Sequence, residues 1–292
     1  MGRPGAPGRP LPLNGPADSA SAYSGGAQAW EEGPARLVYD RLAEILVAFS
    51  PCALGGGSVL DLGAGSGAAS RAARAAGARV VAADPAPGML LLHRERRPPA
   101  VVADARAMPF REAAFDVVVA AFSLNHLPDP RPALLEVRRV LGAGGTLLAS
   151  AYAEDDDHPV KAVVDDALSR EGWSAPAWYP EIRRATKAWA TAERAAGVVE
   201  RAGLPVLVTE QRRVCFPMLS PADLVRWRLG MAQAAWFVDA LDARRRRTLV
   251  RHCAAAIKGA PPLERSIVLL AAGTGRADQA SRLSTQAASA SP

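Results

Sequence analysis

The sequence predicts an α/β fold built on a doubly wound parallel sheet, and two observations carry that prediction. Short apolar segments alternate with helical patterns between residues 59 and 151, as in repeated strand–helix units. The first of these segments runs straight into a glycine-rich turn, residues 63–67, which leads into an alanine-rich helix. Because ligands gather at the carboxyl ends of the strands in such sheets, this turn is the first candidate for a binding site.

The predicted elements follow in chain order. An opening helix starts at Gly33-Pro34, with proline at the first helical position, and ends at Ser50-Pro51. The predicted strands are Val59–Leu62, Arg79–Asp84, Ala100–Ala103, Phe115–Ala121, Thr146–Ala151, Pro205–Phe216 and Glu264–Ala272, and the pattern leaves the direction of the last one open. The predicted helices between them include Ala68–Ala76, Pro132–Leu141 and Thr191–Arg201.

Two further stretches, 153–190 and 217–260, have helical patterns and no strand partners, so we interpret them as insertions. The second contains a helix start at Ser220, after which Leu224, Trp227, Met231 and Ala234 share one face. We expect the insertions to form a helical cap that closes over a substrate. The core then comprises residues 29–152, 191–216 and 261–273.

Both ends of the chain have little apolar periodicity. Residues 1–28 are rich in Pro, Gly, Ala and Ser, and residues 274–292 in Ala, Ser, Thr and Gln, so both are expected to be disordered. Tyr23 and Trp30 interrupt this composition at the N-terminal side, and they are candidates to fold back onto the core.

Composition excludes several classes of function. The net charge of +6 comes mostly from arginine, and the dense run Arg244–Arg247 falls in a predicted helix, where a solvated face explains it; no nucleic-acid partner is expected. No apolar run is long enough to span a membrane. Three dispersed cysteines argue against a disulfide framework or a structural zinc and favour a reducing compartment, the cytoplasm. Oligomeric state is not readable from the chain.

Carboxylates mark the ends of successive strands. Gly63-x-Gly65-x-x-Ala68 fits a dinucleotide fingerprint, but Asp61, two residues before the first glycine, would repel a pyrophosphate and suits a ligand with an ammonium and a sulfonium. Asp84 ends the second strand about twenty residues further on, where a carboxylate can accept both hydroxyls of a ribose. A helix N-cap is the alternative role for Asp84.

Five landmarks in register resemble a known family. They are Asp61-x-Gly63-x-Gly65-x-Gly67, Asp84, Asp104-Ala105, the segment from Phe115-Asp116 to Asp129, and Leu141-Gly142-x-Gly144-Gly145-Thr146. Together they resemble the UbiE-like (type 11) group of class I S-adenosylmethionine-dependent methyltransferases over residues 35–152. The resemblance implies a Rossmann-like seven-stranded sheet whose last strand is antiparallel, with S-adenosylmethionine as cofactor.

The resemblance also implies a role for each cofactor residue. Gly63, Ala64, Gly65 and Gly67 lie under the methionine part, with Asp61 near its amino group. Asp84 with Pro85 takes the ribose, and Met89, Asp104 and Ala105 surround the adenine. Ala121 and Phe122 border the sulfonium, and Tyr23 is the candidate aromatic residue near the carboxylate. The sequence departs from the family pattern at Gly142-Ala143-Gly144, which affects only a turn.

Other reactions on similar folds lack their marker residues. None of the four tyrosines has a lysine four residues later, as a short-chain dehydrogenase requires. The segment after the fourth strand, Ala121–His126, lacks the Asn/Asp-Pro-Pro-aromatic run of nucleic-acid amino-methyltransferases and the carboxylates of metal-dependent catechol-type enzymes.

The predicted chemistry is methyl transfer to a small organic acceptor without a metal, with secondary metabolism as its expected setting. His126 is the first candidate for a general base and His158 the second, with a turn-capping role as the alternative for His126. The acidic run before His158 is interpreted as a polar loop at the pocket mouth. Predicted acceptor contacts are Asn125, His126, Tyr152, Trp178, Tyr179, Trp227 and Met231. For the last four, which lie in the insertions, a role in the core of the cap is the alternative. A non-methylating enzyme of the same fold, such as a cyclase, and a non-catalytic cofactor-binding protein remain the alternatives.

Overall fold

A single mixed sheet organises the computed structural model, which describes residues 15–274. Its strands are β1 (Ser58–Leu62), β2 (Arg79–Asp84), β3 (Ala100–Val102), β4 (Phe115–Ala121), β5 (Leu141–Tyr152), β6 (Val206–Phe216) and β7 (Leu263–Gly273). They lie in the order β3-β2-β1-β4-β5-β7-β6. Strands β1 to β5 pair in parallel, whereas β7 is antiparallel to both β5 and β6. The predicted fold class and the antiparallel last strand are confirmed.

Helices connect the strands and flank the sheet. They are α1 (Ser19–Gly25), α2 (Ala27–Trp30), α3 (Asp40–Ala48), α4 (Ala68–Ala75), α5 (Pro87–Leu91), α6 (Arg131–Val140), α7 (Pro159–Arg170), α8 (Tyr179–Thr186), α9 (Ala192–Glu200), α10 (Pro221–Leu229), α11 (Ala232–Ala240) and α12 (Ala243–Ala256). A π-helical stretch, Glu31–Tyr39, joins α2 to α3, and short 3₁₀ turns occupy Leu124–His126 and Lys187–Trp189.

Both faces of the sheet are buried because successive strand residues point to opposite sides. Val59 of β1 packs into an apolar cluster with Leu42 of α3, whereas its neighbour Leu60 packs with Leu134 of α6 and Val199 of α9 on the other face. The reversal of strand order between β1 and β4 opens a crevice at the carboxyl edge of the sheet, which is where such folds bind ligands.

Helices α7, α10 and α12 of the insertions join one of these two layers. Leu168 of α7, Trp227 of α10 and Cys253 of α12 are buried in the same apolar cluster as Val59. Ser220 caps α10 as expected, with its side chain and that of Asp223 forming a reciprocal capping box. The apolar faces of these helices therefore pack against the sheet domain. The division of the chain into a core and a cap stays a prediction.

The N-terminal segment corrects one expectation. Residues 1–28 are predicted to be disordered, and residues 1–14 lie outside the described part, but α1 and α2 occupy much of the remainder. The Asp18 side chain caps α1 by accepting from the Ser21 N–H at 2.7 Å. Ser24 accepts from the Gly88 N–H at 3.0 Å, and the α1 side chain of Ala22 is buried. These tertiary contacts compensate for the weak local pattern.

Two boundaries also differ from the prediction. Pro34 does not start a helix but lies inside the π-helical stretch, where the wider turn accommodates a residue without an N–H. The face predicted to run from Leu224 to Ala234 is split at Gly230 between α10 and α11. A Cβ at Gly230 would lie 2.6 Å from the Ala29 carbonyl oxygen, so this close approach requires glycine.

Candidate active site

The glycine turn after β1 has the geometry that a bound ligand needs. Gly63 and Gly65 adopt left-handed backbone conformations, with φ of +72° and +50°. A Cβ at Gly65 would meet no heavy atom within 4 Å, so the turn faces open space. The N–H groups that begin α4 have no side-chain cap at Gly67. The turn can therefore accept a ligand close to its backbone, as the sequence predicted.

Asp84 faces this turn from the end of β2. Its two carboxylate oxygens accept from the Gly65 N–H and the Ala86 N–H, both at 2.8 Å. The residue is 7% exposed, and burial raises the pKa of its carboxyl group. Asp84 thus shapes the turn and presents a carboxylate to the cavity in front of it. It does not cap the following helix, because the N-cap of α5 is Ala86 without a side-chain hydrogen bond, and its role toward a ribose stays a prediction.

Asp61 lies in the same crevice and is almost fully buried. It accepts a hydrogen bond from the Ser70 hydroxyl at 2.6 Å. Desolvation by burial outweighs this hydrogen bond and raises the pKa of Asp61 to about 6. A cationic group placed beside Asp61 would be stabilised, and it would hold the carboxyl group in its ionised form.

A cavity of about 470 Å³ lies between the glycine turn, the strand ends and the N-terminal helices. All the predicted cofactor residues except Gly67 line it: Tyr23, Asp61, Gly63, Ala64, Gly65, Asp84, Pro85, Met89, Asp104, Ala105, Ala121 and Phe122. The structure therefore brings together residues from the ends of β1, β2, β3 and β4. Their individual roles toward a cofactor remain predictions.

Residues at the far end of the cavity follow β4. Phe122 is held at φ +53°, a conformation that a side chain other than glycine rarely adopts. His126 lines the same region, with its ring stacked on Tyr23 at 6.0 Å between centroids. Enclosure by the protein lowers the pKa of His126 to about 4, so its imidazole is neutral at pH 7 and one of its ring nitrogens carries no proton.

Comparison with known proteins agrees with this geometry. A family model described as a methyltransferase domain matches residues 60–149. The demethylmenaquinone methyltransferase of Renibacterium salmoninarum is 33% identical over 146 residues, which are 47% of this chain and 62% of that protein. That of Clavibacter sepedonicus is 32% identical over 177 residues, 56% of this chain and 72% of that protein.

The chain belongs to the class I S-adenosylmethionine-dependent methyltransferases of the UbiE-like group. Its cofactor is S-adenosylmethionine. Among solved structures, the 4+2 cyclase SpnF shares the fold, with a TM-score of 0.52, 18% identity, and coverage of 92% of this chain and 99% of that one.

The residues that line the cavity of this methyltransferase fit that cofactor chemically. Two buried carboxylates, Asp61 and Asp84, match the ammonium and the ribose hydroxyls, and the buried side chain of Met89 offers an apolar surface for the adenine. The glycine turn leaves room where a Cβ would project. Asp104 is paired with Arg106 at 2.6 Å, and this ion pair stands beside the position expected for the base.

Several predicted site residues of the methyltransferase lie elsewhere. Trp178, Tyr179, Trp227, Met231, Tyr152, Asn125 and His158 do not line the cavity. Trp227 is 1% exposed and belongs to the core beneath the sheet, while Met231 packs against a small apolar cluster that contains Trp30. Asn125 points into the protein, and its buried Oδ1 has no hydrogen-bond partner among residues 15–274.

The prediction that His158 serves as a general base is wrong, because its ring nitrogens are used elsewhere. Its Nδ1 accepts from the Val160 N–H at 3.2 Å, and its Nε2 lies 3.0 Å from the Pro261 carbonyl oxygen, to which it donates. Both nitrogens are thus used to cap α7 and to bind the chain before β7. An imidazole with both nitrogens engaged and only 4% exposure is not available as a base.

Part of the cavity wall comes from the N-terminal segment. Trp30, a candidate to fold back onto the core, lines the cavity together with Asp18, Ser19, Ala20 and Tyr39, which the sequence did not indicate. The rings of Trp30 and Tyr39 lie 4.7 Å apart, and Trp30 meets Tyr23 edge-on at 5.3 Å. The one available signal was that aromatic residues interrupt an otherwise small-residue segment.

We expect Asp61 to make the binding of S-adenosylmethionine depend on pH. Because the pKa of Asp61 is about 6 in the cofactor-free protein, its carboxyl group is mostly ionised at pH 7 and mostly protonated at pH 5. The cationic ligand binds the ionised form, so its affinity rises with pH and falls about tenfold between pH 7 and pH 5. Isothermal titration calorimetry across this range measures the change.

Asp61→Asn is the control for this pH dependence. It should bind S-adenosylmethionine more weakly at pH 7 and with little change between pH 5 and pH 7. An equal pH dependence in both proteins would show that another group causes it.

Proposed function

We propose that this methyltransferase transfers the methyl group of S-adenosylmethionine to an oxygen or nitrogen atom of a small organic acceptor, with His126 as the general base. One observation supports this most directly: the cavity that contains the glycine turn and Asp84 also contains a neutral imidazole just beyond β4. His126 follows β4, and the methyl group is expected to emerge beyond the end of that strand. The names of the curated relatives, demethylmenaquinone methyltransferases, support methyl transfer to a small molecule.

When bound, S-adenosylmethionine would supply a methyl group on a sulfonium, with the neutral thioether S-adenosylhomocysteine as the leaving group. The chain contributes positioning, because an acceptor held about 3 Å from the methyl carbon reacts with little further entropic cost. His126 takes the proton that an O–H or N–H acceptor loses as the new bond forms. The protonated imidazole then releases its proton readily, since its pKa is low.

Aromatic rings surround the reacting end of the cavity and exclude water. The ring of Tyr39 lies between two others, with its centroid 5.4 Å from that of Phe122 and 4.7 Å from that of Trp30. The faces of such rings attract a cation within about 6 Å. These residues would therefore hold a sulfonium while leaving the neutral product less tightly bound.

The acidic residues of the cavity have partners that explain them without a metal. Asp61 is bonded to Ser70, Asp84 to backbone N–H groups, and Asp104 to Arg106. The proposed reaction is accordingly metal-independent.

No helix of the described residues could cross a membrane. We place the reaction in the cytoplasm on the sparse cysteine content, with secondary metabolism as its setting and no nucleic-acid partner.

Methyl transfer can be measured before the acceptor is known. The purified protein is incubated with methyl-labelled S-adenosylmethionine and a cell extract separated into small-molecule, nucleic-acid and protein fractions. Label is expected in the small-molecule fraction alone. Cofactor binding without label in any fraction would instead favour a cyclase-type reaction or a non-catalytic role.

Replacement of His126 tests its role as base. His126→Gln should lower the initial rate of label transfer about 100-fold or more, with S-adenosylmethionine affinity within about threefold of the parent protein. His158→Gln is the matched control, because it removes a helix cap and should cost about 1 kcal/mol of stability with an unchanged rate. Equal rates in the parent and His126→Gln proteins would remove His126 from the mechanism.

A further inference from the structure

Arg97 lies behind the glycine turn of the cofactor site, on the chain segment between α5 and β3. Its guanidinium Nη2 donates to the Gly65 carbonyl oxygen at 2.8 Å and to the Met89 carbonyl oxygen at 3.0 Å. Its Nε donates to the Leu92 carbonyl oxygen at 3.2 Å. One side chain therefore joins the turn that follows β1 to the helix that follows β2, and both of these segments contribute residues to the cavity.

The three carbonyl groups that Arg97 binds suit an arginine and no other side chain. A guanidinium carries five N–H donors on a rigid planar fork, so it can serve acceptors from separate residues at the same time. A lysine has the same charge but a single nitrogen at the end of a flexible chain. Arg97 is not among the residues that line the cavity, so it reaches a bound cofactor only through its charge and the backbone that it holds.

The backbone around Arg97 fixes the position from which its side chain starts. The N–H groups of Arg96 and Arg97 donate to the His93 carbonyl oxygen at 2.8 Å and 3.0 Å, and His93 itself has φ of +54°. The Nε2 atom of His93 lies 2.8 Å from Oε1 of Glu31, a buried residue of the π-helical stretch. The segment that carries Arg97 is thus held both by its own turn and by a contact with a distant part of the chain.

The charge of Arg97 acts on the two buried carboxylates of the cavity. Burial raises the pKa of Asp61 to about 6, the Ser70 hydrogen bonds and the Arg97 cation oppose this rise, and Asp84 adds to it. Burial also raises the pKa of Asp84, against the backbone hydrogen bonds that it accepts and the same cation. Arg97 Nη1 is buried without a hydrogen-bond partner among residues 15–274, so its charge acts on these carboxylates through space and not in a direct ion pair.

The other charged groups around Arg97 have partners of their own. Burial lowers the pKa of its guanidinium, the two cavity carboxylates raise it, Arg71 lowers it and Glu31 raises it. Arg71 pairs with Asp40 at 2.5 Å, and Glu31 with Arg36 at 3.3 Å. Because these neighbours are already paired, the positive charge of Arg97 is directed mainly at the carboxylates of the cavity.

We propose that Arg97 is a positioning residue of the cofactor site, which ties the glycine turn to α5 and supplies the positive charge that faces the two buried carboxylates. Through its hydrogen bonds it holds the backbone of Gly65 where the methionine part of the cofactor is expected. Through its charge it favours the ionised form of Asp61, which a cationic ligand requires. The inference concerns the cofactor side of the cavity, so it goes beyond the proposed methyl acceptor and the role of His126 and does not depend on them.

Two substitutions separate the charge of Arg97 from its hydrogen bonds. Carbon-13 NMR titration of the side-chain carboxyl measures the pKa of Asp61 in the cofactor-free proteins, and calorimetry measures S-adenosylmethionine affinity from pH 5 to pH 8.5. Arg97→Gln removes the charge, so it should raise the pKa of Asp61 above the parent value of about 6. Its affinity should fall about tenfold or more at pH 7 and by less at pH 8.5, where Asp61 is ionised more completely. Arg97→Lys keeps the charge, so the pH dependence should stay near that of the parent while affinity falls by a similar factor at every pH.

Arg71→Gln is the matched control for the loss of charge. Arg71 donates to the carbonyl oxygen of Ser66 in the same turn at 2.9 Å, but its charge is paired with Asp40. Its replacement should therefore leave the pKa of Asp61 and the pH dependence of cofactor affinity as they are in the parent protein.

The results that would overturn the proposal are distinct from a failure of the proposed function. An Asp61 pKa that is the same in Arg97→Gln and the parent, or that rises equally in Arg71→Gln, would contradict the role of the charge. If Arg97→Gln does not fold, Arg97→Lys decides, because parent affinity in that variant would show that the carbonyl hydrogen bonds do not position the turn. Absence of methyl transfer in a protein that binds the cofactor normally would overturn only the proposed function.

Discussion

Asp84→Ala is expected to abolish most of the affinity for S-adenosylmethionine, with a loss of about 10²- to 10⁴-fold. The carboxylate is expected to accept two hydroxyl hydrogen bonds, and each charged hydrogen bond is worth about 1.5–3 kcal/mol. The variant also releases the Gly65 and Ala86 N–H groups that Asp84 now binds, so the turn loses its anchor. Calorimetric titration with the cofactor measures the loss.

Two controls separate ligand contact from turn geometry. Asp84→Asn keeps the shape and one strong acceptor and should bind the cofactor more tightly than the alanine variant. Asp104→Ala removes a carboxylate that is already paired with Arg106, so its loss should stay within about tenfold. If Asp84→Ala bound the cofactor like the parent protein, the assignment of the ribose site to β2 would be wrong.

Gly63→Ala should damage both stability and binding. Its Cβ would lie 2.3 Å from the Ser123 Cβ, closer than any real contact, and the residue has φ of +72°. Ser123 cannot move away easily, because its hydroxyl donates to the Leu62 carbonyl oxygen at 2.7 Å. Overpacking and the left-handed backbone together cost about 2–5 kcal/mol, which thermal unfolding detects.

Gly65→Ala is the matched comparison for this prediction. Its Cβ meets no heavy atom within 4 Å, so it should cost only the backbone penalty of about 1–2 kcal/mol. The new methyl group would nevertheless occupy the ligand space and weaken cofactor binding. The double variant Gly63→Ala, Ser123→Gly should recover part of the stability lost in the single one. An unchanged melting temperature for Gly63→Ala would contradict the close packing of the turn on Ser123.

The order of elements and the carboxyl edge of the sheet could be predicted because their signals are local. Asp61 lies near the end of β1, Asp84 ends β2, and Asp104 follows β3. Because β1, β2 and β3 pair in parallel, their carboxyl ends meet at one edge of the sheet, whatever the rest of the chain does. Ser220 was recognised as a helix cap for the same reason, since its partner Asp223 is three residues away.

The wall of the cavity could not be predicted in the same way. The apolar stripe that contains Trp227 has the same pattern whether it faces a ligand or the sheet, and packing against the core determined which. His126 and His158 each follow a strand, yet only the conformation of the neighbouring chain leaves one in the cavity and uses both nitrogens of the other.

The sequence alone determined that this protein is an α/β methyltransferase with a glycine-rich turn between Asp61 and Gly67 and a carboxylate, Asp84, at the end of the next strand, because short-range patterns specify strands, turns and their ends. The tertiary structure decided which distant residues complete the site. It placed the N-terminal helices over the cavity and Trp227 in the core, because contacts between segments so far apart in the chain depend on the packing of the whole domain.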